Sequence, residues 1–169
     1  MKKIIGIVGW KNNGKTTLME QLIAHFTGQG LRVAAVKNAH HDFDIDHPGK
    51  DSWRHRKAGA REVIVNSQTR WALVHESQGE EEPTLEQLLA HLSPCDLVFV
   101  EGFKHHPHTK IEVCLAPPRQ QLVAVTDSTV IAVATNDPKL AAPVPLLDIN
   151  NVREVASFIR RKLGLPATD

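Results

Sequence analysis

The residues with the clearest chemical potential lie near the start of the chain, from Gly9 to Thr16. They read Gly-Trp-Lys-Asn-Asn-Gly-Lys-Thr and satisfy the spacing G-x-x-x-x-G-K-[ST]. Glycines at these positions let the backbone wrap around phosphate oxygens, so that consecutive N–H groups form an anion site at the positive end of the following helix. The pattern predicts a phosphate-binding loop. A chance match in an ordinary strand-loop-helix is the alternative.

Each polar group of this loop has an expected role. Lys15 should reach the β- and γ-phosphates of a nucleotide, and the Thr16 hydroxyl should coordinate Mg²⁺. The backbone N–H groups expected to contact phosphate oxygens belong to Asn13, Gly14, Thr16 and Thr17. Gly9 and Asn12 complete the predicted nucleotide-binding loop.

Glu101 is the second candidate, because it ends the apolar run that begins at Leu97. Ligands of parallel sheets bind beyond the carboxyl ends of the strands, whereas Asp96 lies at the opposite end of this strand. A carboxylate at Glu101 can hold a Mg²⁺-bound water or orient an attacking water, and Gly102 lets a backbone N–H approach the γ-phosphate. The alternative is a solvated carboxylate at a strand end.

Two histidine-rich segments are open to several interpretations. Residues 38–50 carry three histidines and three aspartates. The same strand-end rule places them beside the phosphates as a switch segment, with Asp42 in the magnesium shell. Imidazoles of this segment, or of His105, His106 and His108, could instead bind zinc or nickel. Neither segment has the spacing typical of metal ligands, so solvated loops are the alternative.

Two weaker patterns concern partner and base recognition. Lys50, Arg54, Lys57 and Arg61 are spaced to share one face of a helix beginning near residue 51, where they would meet a pterin phosphate, an acidic partner or only solvent. Asn136 and Asp137 follow a late strand, where common guanine-specific proteins contact the base, but a turn before Pro138 explains them equally well.

The elements that must position these residues alternate between strand and helix. Short apolar runs at residues 4–8, 31–36, 97–100, 111–115 and 130–134 predict buried strands, and helical periodicity appears at residues 16–26, 84–92 and 152–163. Residues 63–65 and 71–74 predict a hairpin. The expected fold is α/β: a P-loop NTPase-like three-layer sandwich, mostly parallel, with helices on both faces and some antiparallel strands, forming a single nucleotide-binding domain over residues 1–169.

Composition and charge further limit the class of protein. The formal net charge is +1, so no global field favours nucleic acid or an anionic membrane. Cys95 and Cys114 lack paired spacing, which argues against a disulfide framework and favours a reducing compartment. No apolar stretch reaches the ~20 residues of a membrane helix. We therefore expect a cytoplasmic protein that binds neither nucleic acid nor membrane.

Five stretches together resemble the molybdopterin-guanine dinucleotide biosynthesis adaptor family, MobB: GWKNNGKTTL, VKNAHHDFDIDHPGKDSWRHRKAGA, RWAL, LVFVEGFKH and LLDIN. The resemblance implies a homodimeric GTP-binding protein with slow hydrolysis, a weak GTPase at most. Such a protein assists the guanylyltransferase MobA in attaching GMP to molybdopterin. The family's phosphate-binding positions fall on Gly9, Gly14, Lys15, Thr16 and Thr17, and its Walker B carboxylate falls on Glu101.

The expected cofactors are GTP and Mg²⁺, and the expected catalytic residues are Lys15 and Glu101. Relatives with a deviant phosphate loop carry an extra lysine where this chain has Trp10, so no lysine acting across a dimer is expected. Two other functions remain open at this point. A small-molecule kinase uses the same loop but generally adds an arginine-rich lid, and a nickel metallochaperone would normally show a Cys- or His-based metal motif.

Overall fold

Buried strands alternate with helices, as the apolar runs predict, in a computed structural model that describes residues 2–39 and 43–166. The strands are β1 (Lys3–Val8), β2 (Val33–Lys37), β3 (Glu62–Asn66), β4 (Trp71–His75), β5 (Leu97–Glu101), β6 (Lys110–Cys114), β7 (Val130–Thr135) and β8 (Leu146–Asp148). The helices are α1 (Lys15–Gly28), α2 (Asp51–Lys57), α3 (Leu85–Ala90) and α4 (Val152–Leu163), with a 3-10 turn at Val123–Val125. None of the helices in the described ranges is long and apolar enough to cross a membrane.

The chain divides into two compact units. The main unit comprises residues 1–38 and 85–169, and the second unit comprises residues 39–84. The main unit holds a six-stranded sheet in the order β2-β5-β1-β6-β7-β8, in which all the pairings are parallel. The expectation of one nucleotide-binding domain over the whole chain stays a prediction.

Helices and turns cover both faces of the main sheet because its strands are apolar on both sides. Ile5, Phe99 and Ile111 are fully buried on the face covered by α1 and α4. On the other face, Val98 and Val100 pack against α3, and Val133 packs against the turn at residues 122–124. This layering agrees with the predicted three-layer α/β sandwich. β5 lies between β1 and β2, so the first crossover skips one strand.

The second unit contains α2 and the hairpin of β3 and β4, whose antiparallel pairing confirms the predicted hairpin. The expected cationic stripe along α2 is wrong at its far end. The helix ends at Lys57, and Gly59 has a φ of +107°, so Arg61 lies beyond the helix. A glycine with positive φ turns the chain where a continuous helix would have kept the fourth cation in line.

Candidate functional site

The phosphate loop connects β1 to α1 at the carboxyl edge of the main sheet. Gly9 has a φ of +136°, and a Cβ there would lie 2.4 Å from the Val113 carbonyl oxygen, so no larger residue fits. Asn12 and Gly14 adopt positive φ values of 64° and 84°. These turns fold the loop back before helix α1 begins at Lys15. The expected strand-loop-helix context of the motif is therefore present.

The first turn of α1 leaves backbone donors available for an anion. Gly14 is the N-cap and, within the described ranges, no side chain caps this helix end. The first N–H groups of a helix have no intrahelical acceptor. Thr16 and Thr17 are exposed at this end, whereas Asn13 is buried at 8% exposure. The loop shape, the small residues and the open helix end fit a polyphosphate.

Lys15 is half-buried, and its Nζ donates a hydrogen bond to the Trp10 carbonyl oxygen at 2.8 Å. Burial lowers the pKa of Lys15, the nearby ammonium groups of Lys104 and Lys37 lower it further, and Glu101 raises it. The structure thus brings the two predicted catalytic residues, Lys15 and Glu101, into one electrostatic neighbourhood. A partly desolvated cation gains most from a phosphate partner.

Glu101 lies at the carboxyl end of β5, as expected, with a side chain 16% exposed. Its carboxylate lies 3.5 Å from Lys37 Nζ, on the adjoining end of β2. Gly102 follows with a φ of +94°, and a Cβ there would lie 2.8 Å from Asn38 Cβ. Thr16 and Glu101 have the oxygen donors that Mg²⁺ requires. The third expected magnesium ligand, Asp42, lies outside the described residues.

The proposed base-recognition residues both hydrogen-bond to backbone groups. Asn136 Oδ1 accepts a hydrogen bond from Ala116 N at 2.8 Å, and Asp137 Oδ1 accepts one from Lys139 N at 2.9 Å. Asp137 N in turn donates to the Thr135 hydroxyl at 3.2 Å. These contacts account for the turn before Pro138. The guanine contact of Asn136 and Asp137 stays a prediction.

The cluster of His105, His106 and His108 does not form a metal site, because no group of three His, Cys, Asp or Glu side chains among the described residues could hold a metal ion. His106 and His108 do meet, with their Nδ1 atoms 3.0 Å apart, and His106 Nε2 lies 2.7 Å from Glu86. This is a pairwise contact rather than a chelating set. His40 and His41 lie outside the described residues, so the metal hypothesis for the first cluster stays untested.

Several contacts within the main unit and within the second unit were not predicted. Lys37 and Lys104 lie close enough to Lys15 to lower its pKa, and Trp10 Nε1 donates to the Gln121 carbonyl oxygen at 2.8 Å. In the second unit, Arg56 pairs with Asp44, Asp46 and Glu76 at 2.9, 3.3 and 2.5 Å. Lys37 follows the predicted strand 31–36 directly, so the strand-end rule used for Glu101 would have identified it. Arg56 has no comparable sequence signal.

Comparison with known proteins decides the family. The profile of Molybdopterin guanine dinucleotide synthesis protein B (MobB) matches residues 4–136. The molybdopterin-guanine dinucleotide biosynthesis adapter protein of Escherichia coli (strain K12) is 44% identical over 163 residues, covering 94% of this chain and 92% of the relative. The chain belongs to the MobB family.

Further relatives agree with this assignment. The adapter protein of Haemophilus influenzae is 39% identical over 163 residues, covering 95% of this chain and 89% of that protein. A crystal structure of molybdopterin-guanine biosynthesis protein B superposes with a TM-score of 0.75 at 28% identity, covering 95% of this chain and 99% of that one. The MobB assignment confirms the predicted P-loop NTPase-like fold and the adaptor role in molybdenum cofactor biosynthesis.

Proposed function

We propose that this MobB chain binds GTP with Mg²⁺ in its phosphate loop and, in that state, assists the guanylyltransferase MobA in attaching GMP to molybdopterin. The observation that carries the proposal is the shape of the loop from Gly9 to Gly14. Its positive φ angles fold the backbone in front of an uncapped helix that begins with Lys15. An anionic polyphosphate satisfies both the helix end and the half-buried cation.

Each site residue has a proposed contact. The phosphates would be held by Lys15 Nζ and by the amides of Asn13, Gly14, Thr16 and Thr17, with Gly9 and Asn12 shaping the loop. Thr16, Glu101 and Asp42 would hold the magnesium ion, which requires Glu101 to exchange its ion pair with Lys37. Mg²⁺ neutralises the phosphate charge when bound. Gly102 would approach the γ-phosphate, and Asn136 with Asp137 would contact guanine. Hydrolysis is proposed to be slow, since an adaptor acts through its bound state.

Nucleotide binding is tested by thermal unfolding with GTP or ATP in the presence of Mg²⁺. At a ligand concentration about 100 times Kd, GTP should raise the Tm of the wild-type chain by roughly 5–10 °C. Lys15→Ala should abolish the shift. Lys162→Ala, which removes a lysine from the exposed side of α4, is the control and should keep it. An unshifted wild-type Tm at millimolar GTP would contradict the proposal.

Homodimer formation is supported by the second unit, where Ile64 and Trp71 are 66% and 63% exposed on one face of the β3–β4 hairpin. Isolated two-stranded hairpins are marginal in water, and exposed apolar residues on a sheet favour association. Ile64→Glu should shift the chain to the monomer mass in light scattering. Gln68→Glu, in the turn of the same hairpin, is the control. A wild-type monomer at micromolar concentration would contradict the dimer.

The partnership with MobA and molybdopterin is tested by co-purification with the guanylyltransferase, with and without GTP. Retention that depends on GTP and is lost in Lys15→Ala is the expected result. Stoichiometric phosphoryl transfer from MgATP to a small acceptor would instead indicate a kinase. A cytoplasmic location is supported by Cys95 and Cys114, which are both free thiols.

A further inference from the structure

Lys104 lies beside the phosphate loop because the chain turns sharply after β5. Gly102 and Phe103 have φ values of +94° and +50°, and His106 N closes the turn by donating to the Phe103 carbonyl oxygen at 3.0 Å. A phenylalanine in the left-handed backbone region is uncommon, and such backbone conformations concentrate at functional sites. A side chain at Gly102 would clash with Asn38, so the turn requires glycine at this position.

The end of this turn contacts the second residue of the loop. Lys104 Nζ lies 4.6 Å from the centroid of the Trp10 ring, and the indole N–H, bonded to Gln121, fixes the plane of that ring. Trp10 also receives the Lys15 ammonium on its carbonyl oxygen. Two lysines from different segments therefore contact one loop residue, one at its ring and one at its backbone.

The charge around the loop is unbalanced. Lys15, Lys37 and Lys104 place three ammonium groups near the carboxylate of Glu101, and the mutual repulsion contributes to the lowered pKa of Lys15. Among the described residues, Lys104 has a ring contact and no carboxylate partner. A surface that gathers like charges in this way is suited to an anion of several negative charges.

We propose that Lys104 is a further phosphate-binding residue, which holds the terminal phosphate of the nucleotide while Trp10 keeps it at the edge of the loop. This inference rests on the proposed nucleotide function and assigns one more contact to the same site. The terminal phosphate is favoured because Lys104 is three residues past Glu101, the proposed magnesium ligand, and two residues past Gly102, which is proposed to approach the γ-phosphate. An ammonium donating to phosphate forms a charge-assisted hydrogen bond, stronger than contact with a ring.

Lys162 provides a matched control inside the same protein. Its Nζ lies 5.5 Å from the centroid of the Phe158 ring, so it makes the same kind of lysine–aromatic contact. It lies in the last turn of α4, and the C-cap residue Gly164 lies near Lys3, at the amino edge of the sheet. The phosphate loop lies at the carboxyl edge. Removing either lysine changes the net charge equally, but only Lys104 lies beside the loop.

The test is isothermal titration calorimetry of GTP and GDP, with Mg²⁺ and at fixed ionic strength, into the full chain. Lys104→Ala and Lys104→Met, which keeps an apolar stem over Trp10, should each weaken GTP binding by about 10- to 100-fold, the range of one hydrogen bond to a charged group. GDP binding should weaken less than threefold. Lys104→Arg should retain most GTP affinity, and Lys162→Ala should match the wild type.

The outcomes separate the two proposals. If the wild type binds GTP and both neutral Lys104 variants bind it as tightly as Lys162→Ala does, the role of Lys104 is overturned while the nucleotide function stands. Equal losses for GTP and GDP overturn the assignment to the terminal phosphate. If the wild type binds no GTP, the nucleotide function itself fails. Unfolding midpoints of all variants, measured without nucleotide, show whether a loss of affinity reflects a loss of folding.

Discussion

Two buried or half-buried lysines of the main unit have opposite surroundings. Lys110 is 1% exposed, and its ammonium group is saturated by Asp127 at 3.2 Å and Thr129 at 2.5 Å, together with a backbone carbonyl. Among the described residues, Lys15 has one backbone carbonyl partner and lies near the carboxylate of Glu101 and two like charges, Lys104 and Lys37. The fold thus surrounds the structural charge of Lys110 with hydrogen-bond acceptors. Lys15, the charge proposed to bind the nucleotide, is left with fewer, and this difference makes the two lysines separable by mutation.

The largest effect is expected for Lys110→Ala. It leaves Asp127, which is 22% exposed, without its cation, and breaking a buried ion pair costs about 3–5 kcal/mol. Because Asp127 is partly solvated, we expect a loss near the lower limit. Urea unfolding measures it. Lys139→Ala, at an exposed position, is the control, and a loss below about 1 kcal/mol for Lys110→Ala would contradict the structural role.

Glu112→Gln should have the next largest effect. The Glu112 carboxylate is fully buried, and its two oxygens accept hydrogen bonds from Val123 N and Ala124 N at 2.8 and 2.9 Å. Burial raises the pKa of this carboxyl group, and the two N–H donors lower it again. A carboxamide keeps only one acceptor oxygen, so one buried N–H loses its partner at a cost of about 1–3 kcal/mol.

Urea unfolding of Glu112→Gln, with Glu20→Gln at an exposed position of α1 as control, checks this value. Equal stability of the two variants would show that the 3-10 turn does not depend on the carboxylate. An unchanged GTP affinity in Glu112→Gln would support the separation of structural and binding charges.

His108 predicts a pH dependence of stability. Burial lowers the pKa of His108 to about 4, and the nearby charges of Lys110 and His106 contribute in the same direction. The unfolded imidazole binds its proton near pH 6.5, so the unfolded state takes up protons first as the pH falls. Stability is therefore complete above pH 6.5 and decreases between pH 6.5 and 4, by about 2 kcal/mol once the roughly 3 kcal/mol that the lowered pKa implies is reduced for the partial exposure of His108. His108→Gln should flatten this part of the curve. A parallel curve in the variant would exclude His108 as its source.

The smallest effect on stability is expected for Lys15→Met. The variant removes a partly desolvated cation and its repulsion from Lys37 and Lys104, and it loses the attraction of Glu101 and one hydrogen bond to a carbonyl. These effects oppose each other, so unfolding free energy should change by less than about 0.5 kcal/mol. GTP binding should nevertheless be lost. A destabilisation comparable to that of Lys110→Ala would remove the distinction between the two lysines.

The sequence predicted the elements of the site well because the physical causes are local. The run from Ile4 to Val8 is apolar on both sides, as a strand buried between two layers must be, and β1 covers it. The glycines of the phosphate loop and the strand-end position of Glu101 follow from spacing alone. Predictions from the sequence were less complete where an element is short. The three-residue β8 and the 3-10 turn went unpredicted, and the helix expected to carry Arg61 ends at Lys57.

Residues that act across long stretches of chain could not be predicted. Glu112 interrupts an apolar strand, and only the folded turn at Val123 shows what its carboxylate does. Trp10 and Lys104 are 94 positions apart in the sequence numbering and meet because β1 and β5 are neighbours. Strand order is a property of packing, and no local pattern specifies it.

The sequence by itself determined the class of fold, the phosphate loop and the carboxylate at the end of β5. Glycine spacing, apolar runs and strand ends depend only on residues that are close together in the sequence. The tertiary structure alone decided which charges are saturated by partners within the protein and which have fewer partners. That distinction depends on partners brought from distant segments, as Asp127 is to Lys110 and Trp10 is to Lys104.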